Sequence, residues 1–236
     1  MNFNKFTAAS GELVLFLGFV SIGDVKVSKL WRETVKSLDG IGKFAVAIND
    51  THFVVLPFDL EKQVELHSIT YGVEGAVDLP DASPDGIIYG EEGKLICSSS
   101  GIIFLIDARK NSIVTRLKGP LIKQAIWSND VDCVALLSKY SIILADRSLV
   151  HICTIKERIP IKSGAWDADV DVFVYTTKTQ IKYCHPNGET WIIKPLDKPA
   201  YIIKVSKDTI HCLDKECTVI PIPFDDTEYN INIHLL

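Results

Sequence analysis

Trp127 and Trp166 stand 39 residues apart, and their surroundings repeat at that spacing. Laid over one another without gaps, Ala-Ile-Trp127-Ser-Asn-Asp130-Val131-Asp132 matches Gly-Ala-Trp166-Asp-Ala-Asp169-Val170-Asp171. Downstream, Lys139 falls on Lys178 and Ile142 on Ile181. The same offset links Ile103-Phe-Leu-Ile-Asp107, Ile142-Ile-Leu-Ala-Asp146 and Ile181-Lys-Tyr-Cys-His185. Each of these runs into a polar turn, and each turn into another apolar stretch, at 113–117, 150–155 and 190–194. Short apolar runs joined by polar turns are successive antiparallel strands. A period of 39 with up to four strands in it is the size of a β-propeller blade. Helical repeats of similar length need 3.6-residue periodicity, which these segments lack.

Weaker copies flank the centre. Repeat units are predicted to start near Phe44, Gly86, Gln124, Ser163 and Tyr201. Between the first two, Tyr71 to Asp85 carries Gly72, Gly75, Pro80 and Pro84 and is predicted to be a longer loop. One helix is expected, around Val27 to Leu38. The fold class that follows is all-β: an incomplete β-propeller of about five or six blades with an irregular N-terminal segment. The expected division is residues 1–41 as a partial blade or covering segment and 42–236 as the propeller region.

A chain of 236 residues that is 47% hydrophobic can bury a sizeable core. Its net charge of −5 and singly scattered Lys and Arg give no field for nucleic acid or an anionic membrane. The six cysteines, Cys97, Cys133, Cys153, Cys184, Cys212 and Cys217, are dispersed rather than framed as a disulfide scaffold. They are expected to be small buried thiols in a reducing compartment. The apolar run Leu13 to Val20 has the length of a signal-peptide core but lacks a basic lead and a small-residue cleavage site. It falls short of the roughly 20 residues of a membrane span and is expected to be a buried strand. Asn49-Asp-Thr51 matches a glycosylation sequon, which has no meaning in a cytosolic protein.

Residues able to do chemistry each have a structural job that fits better. Trp127 and Trp166 would stack ligands, but their repetition at equivalent positions points to packing in every blade. Asp130 with Asp132, and Asp169 with Asp171, resemble a cation pair. They fall where hairpin turns are expected, and Asp caps turn amides. Cys184-His185 and His211-Cys212 with Cys217 suggest zinc, yet no further ligands stand at the close spacing such a site needs. Gly40-Ile-Gly-Lys43 is too short for a phosphate loop, and Ser98-Ser-Ser-Gly101 is a tight turn without a nucleophile elbow. No nucleophile–base pair is indicated. Hence no catalytic residue, metal ligand or cofactor is expected.

Lys123-Gln-Ala-Ile-Trp-Ser128, Val134-Ala-Leu-Leu-Ser-Lys139 and Ile161-Lys-Ser-Gly-Ala-Trp-Asp167 carry a family resemblance. So do Val174-Tyr-Thr-Thr177, Ile181-Lys-Tyr183, His211-Cys-Leu-Asp-Lys-Glu-Cys217 and Lys43-Phe-Ala-Val-Ala47. Together they resemble the second, WD-repeat-like propeller of the coatomer α-subunit family of the COPI coat, over roughly residues 42–236. The pairing of Lys162-Ser-Gly-Ala-Trp-Asp167 with Cys212-Leu-Asp-Lys-Glu-Cys217 favours the α over the β′ branch. In that family the region follows a first propeller, which binds dilysine cargo tails, and precedes an α-solenoid. The chain is expected to be a fragment or a shortened gene product, and because cargo-tail recognition belongs to the first propeller no cargo-binding residue is carried over. The resemblance implies a coat scaffold for retrograde Golgi-to-endoplasmic-reticulum and intra-Golgi transport. It would be cytoplasmic, peripheral on Golgi membranes and COPI-coated vesicles. Implied partners are other coatomer subunits and, only through the assembled coat, a small GTPase and the membrane. Two rivals stand beside the scaffold: a propeller module that binds extended or tail peptides, and an enzyme with polar groups converging on a channel.

Overall fold

The computed structural model describes the strand backbones at 7–8, 14–21, 24–31 and 34–41, and residues 44–223 apart from 50, 58–61, 69, 80–83, 85, 91–92, 168–171, 207–208 and 217. Side chains are described from residue 45 onward, that of Tyr89 excepted. The chain divides into two compact units, residues 1–121 and 122–236.

The first unit contains three antiparallel meanders. Strands β1 (Thr7–Ala8), β2 (Val14–Ser21), β3 (Asp24–Trp31) and β4 (Thr34–Ile41) form the first sheet in chain order. The second is β5 (Phe44–Ala47), β6 (His52–Leu56), β7 (Gln63–Ser68) and β8 (Gly72–Asp78). The third is β9 (Gly86–Tyr89), β10 (Lys94–Ser99), β11 (Ile102–Asp107) and β12 (Ser112–Lys118). Val46, Leu56, Val64 and Leu79 of the second sheet share one core with Leu95, Cys97, Phe104 and Ile106 of the third.

The second unit stacks three more. Strands β13 (Gln124–Trp127), β14 (Cys133–Leu137), β15 (Ser141–Asp146) and β16 (His151–Lys156) form one sheet. Strands β17 (Ile161–Trp166), β18 (Phe173–Thr177), β19 (Gln180–Cys184) and β20 (Thr190–Pro195) form the next. Strands β21 (Tyr201–Ser206), β22 (Thr209–Leu213) and β23 (Val219–Pro223) form a three-stranded sheet. Leu137, Ile142, Leu144 and Ile155 pack against Trp166, Phe173 and Tyr175. The far face of that middle sheet, with Val174, Ile181 and Tyr183, packs against Ile202, Val205, Ile210 and Cys212.

The burial pattern follows from this stacking. The middle strand β18 is buried at every position because Phe173 and Tyr175 face one neighbouring sheet and Val174 the other. The outer strand β12 alternates exposed Ser112, Val114, Arg116 and Lys118 with half-buried Ile113, Thr115 and Leu117. The fold is the all-β propeller class expected, with six sheets among the described residues against the five or six blades predicted. The predicted starts at Phe44, Gly86, Gln124 and Tyr201 are strand starts, and Ser163 lies two residues inside β17.

Three expectations are corrected. The helix expected at Val27–Leu38 is replaced by β3 and β4, paired from Asp24↔Ile41 to Trp31↔Thr34. Val25 and Val27 alternate, and the β-branched Val27, Thr34 and Val35 suit a strand better than a helix. The N-terminal segment, expected to be irregular, thus carries a four-stranded sheet. The predicted loop from Tyr71 to Asp85 holds β8, paired with β7 from Ser68↔Gly72 to Gln63↔Asp78 with one bulge at Leu66/His67.

The turns carry the special conformations. Ser100 and Gly101, at φ +48° and +81°, form the two-residue turn between β10 and β11 that a right-twisted hairpin needs. Val131 sits at φ +64° in the turn between β13 and β14, a left-handed conformation that crowds a β-branched side chain. Val131→Asn should therefore raise stability by about 0.5–1 kcal/mol, because Asn tolerates that conformation. Urea denaturation checks this, and a loss of stability would show that Val131 earns its place by packing.

Candidate functional site

The polar side chains of the second unit are used between its sheets. Trp166, 6% exposed, donates its indole N–H to the carbonyl of Ile126 at 2.8 Å, across to β13. Its ring meets Phe173 edge-on at 5.2 Å. Asn129 Nδ2 donates to the carbonyl of Asp167 at 3.0 Å. Ser163 Oγ accepts the Ile202 amide at 2.7 Å and lies 2.9 Å from Thr176 Oγ1, all of it buried. These links join residues 38 to 40 apart in sequence, one repeat, so they fasten each sheet to the next.

The densest cluster is Glu157, Tyr175 and Lys182. Tyr175 donates its hydroxyl to Glu157 Oε1 at 2.5 Å, and Lys182 Nζ pairs with the same oxygen. The Lys182 ammonium also stands 5.8 Å from the centre of the Tyr175 ring. The charged side chains are only 14% and 11% exposed. Burial first, and then the Glu157 carboxylate, push the Tyr175 phenol far above its ordinary range. It therefore stays a donor. A buried ion pair that shares a third partner fixes the relative register of two packed sheets more than it adds stability.

Asp130 and Asp132 lie in the turn between β13 and β14, as expected. Asp130 Oδ1 accepts the Ser128 hydroxyl at 2.6 Å and the Asp132 amide at 3.1 Å. These bonds, the hydroxyl first, hold its carboxyl below the usual range. Asp169 and Asp171 lie outside the described residues, as do Gly42, Lys43 and Cys217. Gly40 lies in β4. Asp107 and Asp146 cap the turns after β11 and β15 through Oδ1.

Four thiols are raised by burial. Burial pushes Cys97 up to about 12 and Cys212 up to about 11, and it raises Cys184 and Cys153 as well. Cys133 is half-buried. Among the described residues no group of three or more His, Cys, Asp or Glu is placed to hold a metal ion. His211 is half-buried in β22 and His185 is buried beside the aromatic rings of Tyr183 and Trp191. Sequence reasoning singled out the tryptophans but missed Glu157, Tyr175 and Lys182, whose signal is spread over the residue after β16 and the middles of β18 and β19.

One cleft of about 400 Å³ lies between the 195–200 segment and the β22–β23 hairpin. Leu196, Ile220 and Ile222 give it apolar surface, and Lys194, Lys198 and Lys215 stand against Asp197, Asp214 and Glu216 at its rim. The charges balance, and Asp214 already accepts the Glu216 and Thr218 amides at 2.9 and 2.8 Å. Among the described residues that line it there is no serine, threonine, cysteine or histidine.

The two repeated tryptophans are unequal. Trp127 Nε1 is buried without a hydrogen-bond partner among the described residues, whereas Trp166 Nε1 is bonded. Trp166→Phe should cost about 1–2 kcal/mol more stability than Trp127→Phe, since only the first breaks a buried hydrogen bond. Paired denaturation curves measure the difference, and equal losses would contradict it.

Comparison with known proteins agrees with this architecture. The family model for the COPA/B second beta-propeller matches residues 22–214. Coatomer subunit alpha-2 of Arabidopsis thaliana is 42% identical over 197 residues, 84% of this chain and 16% of that protein. Coatomer subunit alpha of Saccharomyces cerevisiae is 34% identical over 222 residues, 94% of this chain and 18% of that protein. The chain thus spans less than a fifth of the length of these curated relatives. Among solved structures, a computationally designed protein, Ika8, is similar at a TM-score of 0.66 and 13% identity, over 92% of this chain and 69% of that one. A chain of a mitotic checkpoint complex is similar at 0.60 and 11%, over 90% and 69%. At those identities the likeness concerns the fold alone. By its matched residues, its stacked four-stranded sheets and its relatives, the chain belongs to the COPA/B second β-propeller family.

Proposed function

We propose that the chain is a structural part of a COPI-type coat, the second propeller of a coatomer α subunit, and that it performs no catalysis. The observation that carries this is the use of Glu157, Tyr175, Lys182, Ser163 and Trp166 to fasten sheet to sheet, which leaves them for geometry rather than chemistry. In this role residues 42–236 form the propeller region and 1–41 a partial blade or covering segment. The region supports retrograde Golgi-to-endoplasmic-reticulum and intra-Golgi vesicle transport from the cytoplasm, peripheral on Golgi membranes and COPI-coated vesicles. Its partners are other coatomer subunits, with a small GTPase and the membrane reached only through the assembled coat. It takes no cofactor and no nucleic acid. No helix among the described residues is long and apolar enough to cross a membrane.

A peptide-binding role has one observation behind it, the cleft beside the β22–β23 hairpin. The adjoining edge of β23 is ill suited to strand addition. The Asp214 amide bonds to Thr218, and Ile220 and Ile222 face Cys212 and Ile210, so Val219, Pro221 and Pro223 direct their backbone outward. Two of these three positions lack an N–H to donate. A peptide would have to enter the cleft by its side chains.

The test is affinity capture from cytosol of the source cell with the tagged chain, shown to be folded, and mass spectrometry of what is bound. Several coatomer subunits in constant ratio are expected. A folded chain that captures none of them would overturn an assembly role for this region.

A further inference from the structure

The turn that joins the third and fourth strands recurs in four sheets, and its first residue has the same job in three of them. Ser68 Oγ accepts the Thr70 and Tyr71 amides at 3.2 and 3.4 Å. Asp107 Oδ1 accepts those of Arg109 and Lys110 at 3.1 Å. Asp146 Oδ1 accepts those of Ser148 and Val150 at 2.8 Å. In the turn between β19 and β20 the equivalent residue is His185, 39 positions after Asp146. There the capping falls to Asn187, whose Oδ1 accepts the Glu189 amide at 2.9 Å.

Freed from capping, the imidazole is packed inward. His185 is 7% exposed, edge-on to the Tyr183 ring at 5.6 Å and to the Trp191 ring at 5.3 Å. Tyr183 and Trp191 are themselves stacked across β19 and β20 at 5.3 Å. Nε2 of His185 is buried with no hydrogen-bond partner among the described residues. The backbone of His185 also closes the turn, donating to the Glu189 carbonyl at 3.0 Å and accepting the Gly188 amide at 2.9 Å.

We propose that His185 is a proton-sensitive clasp on the β19–β20 hairpin. Neutral imidazole is tolerated in an apolar aromatic setting. A proton taken from solvent makes both ring nitrogens donors and adds a charge, and a buried charge with an unmet donor is costly. The imidazolium relieves that cost by leaving the rings for water. The residue that clamps the turn then moves, and the outer strand β20 loses its end. Of the groups around it, Tyr183 on β19 lies against the ring, and Cys153 on β16 lies against Gly188 of the turn. Among the described residues, Glu189 in the turn is the charged neighbour and favours the proton, but its Oε2 is held by Asn187 Nδ2 at 2.9 Å. Burial outweighs Glu189 and lowers the His185 titration below that of a free histidine. With the folded value below the unfolded one, the clasp's contribution is complete above the unfolded value and is lost as pH falls toward the folded one.

Native-state hydrogen exchange at about pH 7.5 and about pH 5.5, corrected for the intrinsic pH dependence of exchange, tests this. Protection of the β20 amides should drop about tenfold on acidification in the wild type and stay level in His185→Phe. An equal drop in His185→Phe, or none in the wild type, overturns the proposal. Should that variant not fold, an NMR titration of the wild type decides. The His185 ring resonances and the β20 amides should share one midpoint, and β20 amides that stay unmoved as His185 titrates would refute the clasp.

Discussion

A meander of four short strands has two faces and almost no interior, so everything else in this molecule depends on covering both faces of each sheet. β14 and β18 show the consequence, with nearly every residue buried although each strand is only five residues long. Alternation alone would bury half of them. The apolar surface of one sheet is removed from water only by the next sheet, which needs a covered second face of its own. A repeat of near-constant length meets that requirement, because equal sheets present equal faces. The core between β13–β16 and β17–β20, and the core between β17–β20 and β21–β23, are two instances of the same contact.

Polar groups caught in such contacts must find partners across them, and the period dictates where. A side chain buried at one position faces backbone about one repeat away, as Trp166 does with Ile126 and Ser163 with the amide of Ile202. The cluster of Glu157, Tyr175 and Lys182 departs from strict periodicity and holds a largely buried ion pair. One oxygen of its carboxylate is engaged by both a phenol and an ammonium, which ties it to two strands of the next sheet. The coat role proposed here fits a molecule whose reactive side chains are spent on alignment.

Much of this was legible in the residues. The Trp127–Trp166 offset and the three Ile-rich strands ending in Asp107, Asp146 and His185 set the period, and with it the sheet boundaries. The turn role of Asp130 was legible too, because Asp caps amides wherever a hairpin reverses. Less regular copies were not: β8 was hidden by Gly72 and Gly75, and β3 and β4 by charged residues that suit a helix as well as an exposed strand. The cross-sheet partners escaped as well, though the period held a usable signal. A polar residue in an otherwise apolar strand, such as Ser163, could have been matched with backbone 39 residues away. No local pattern marks Glu157, which follows β16 and meets partners on two strands of the next sheet.

The central claim is that the sheets of the second unit hold one another up and have no stability apart. Native-state hydrogen exchange at the amides of three fully buried residues, Leu136 in β14, Val174 in β18 and Ile210 in β22, tests it most directly. A mutually supported stack predicts one opening free energy for all three and the same dependence on denaturant. Three separate tiers, with β22 opening well before β14, would mean that each sheet stands on its own.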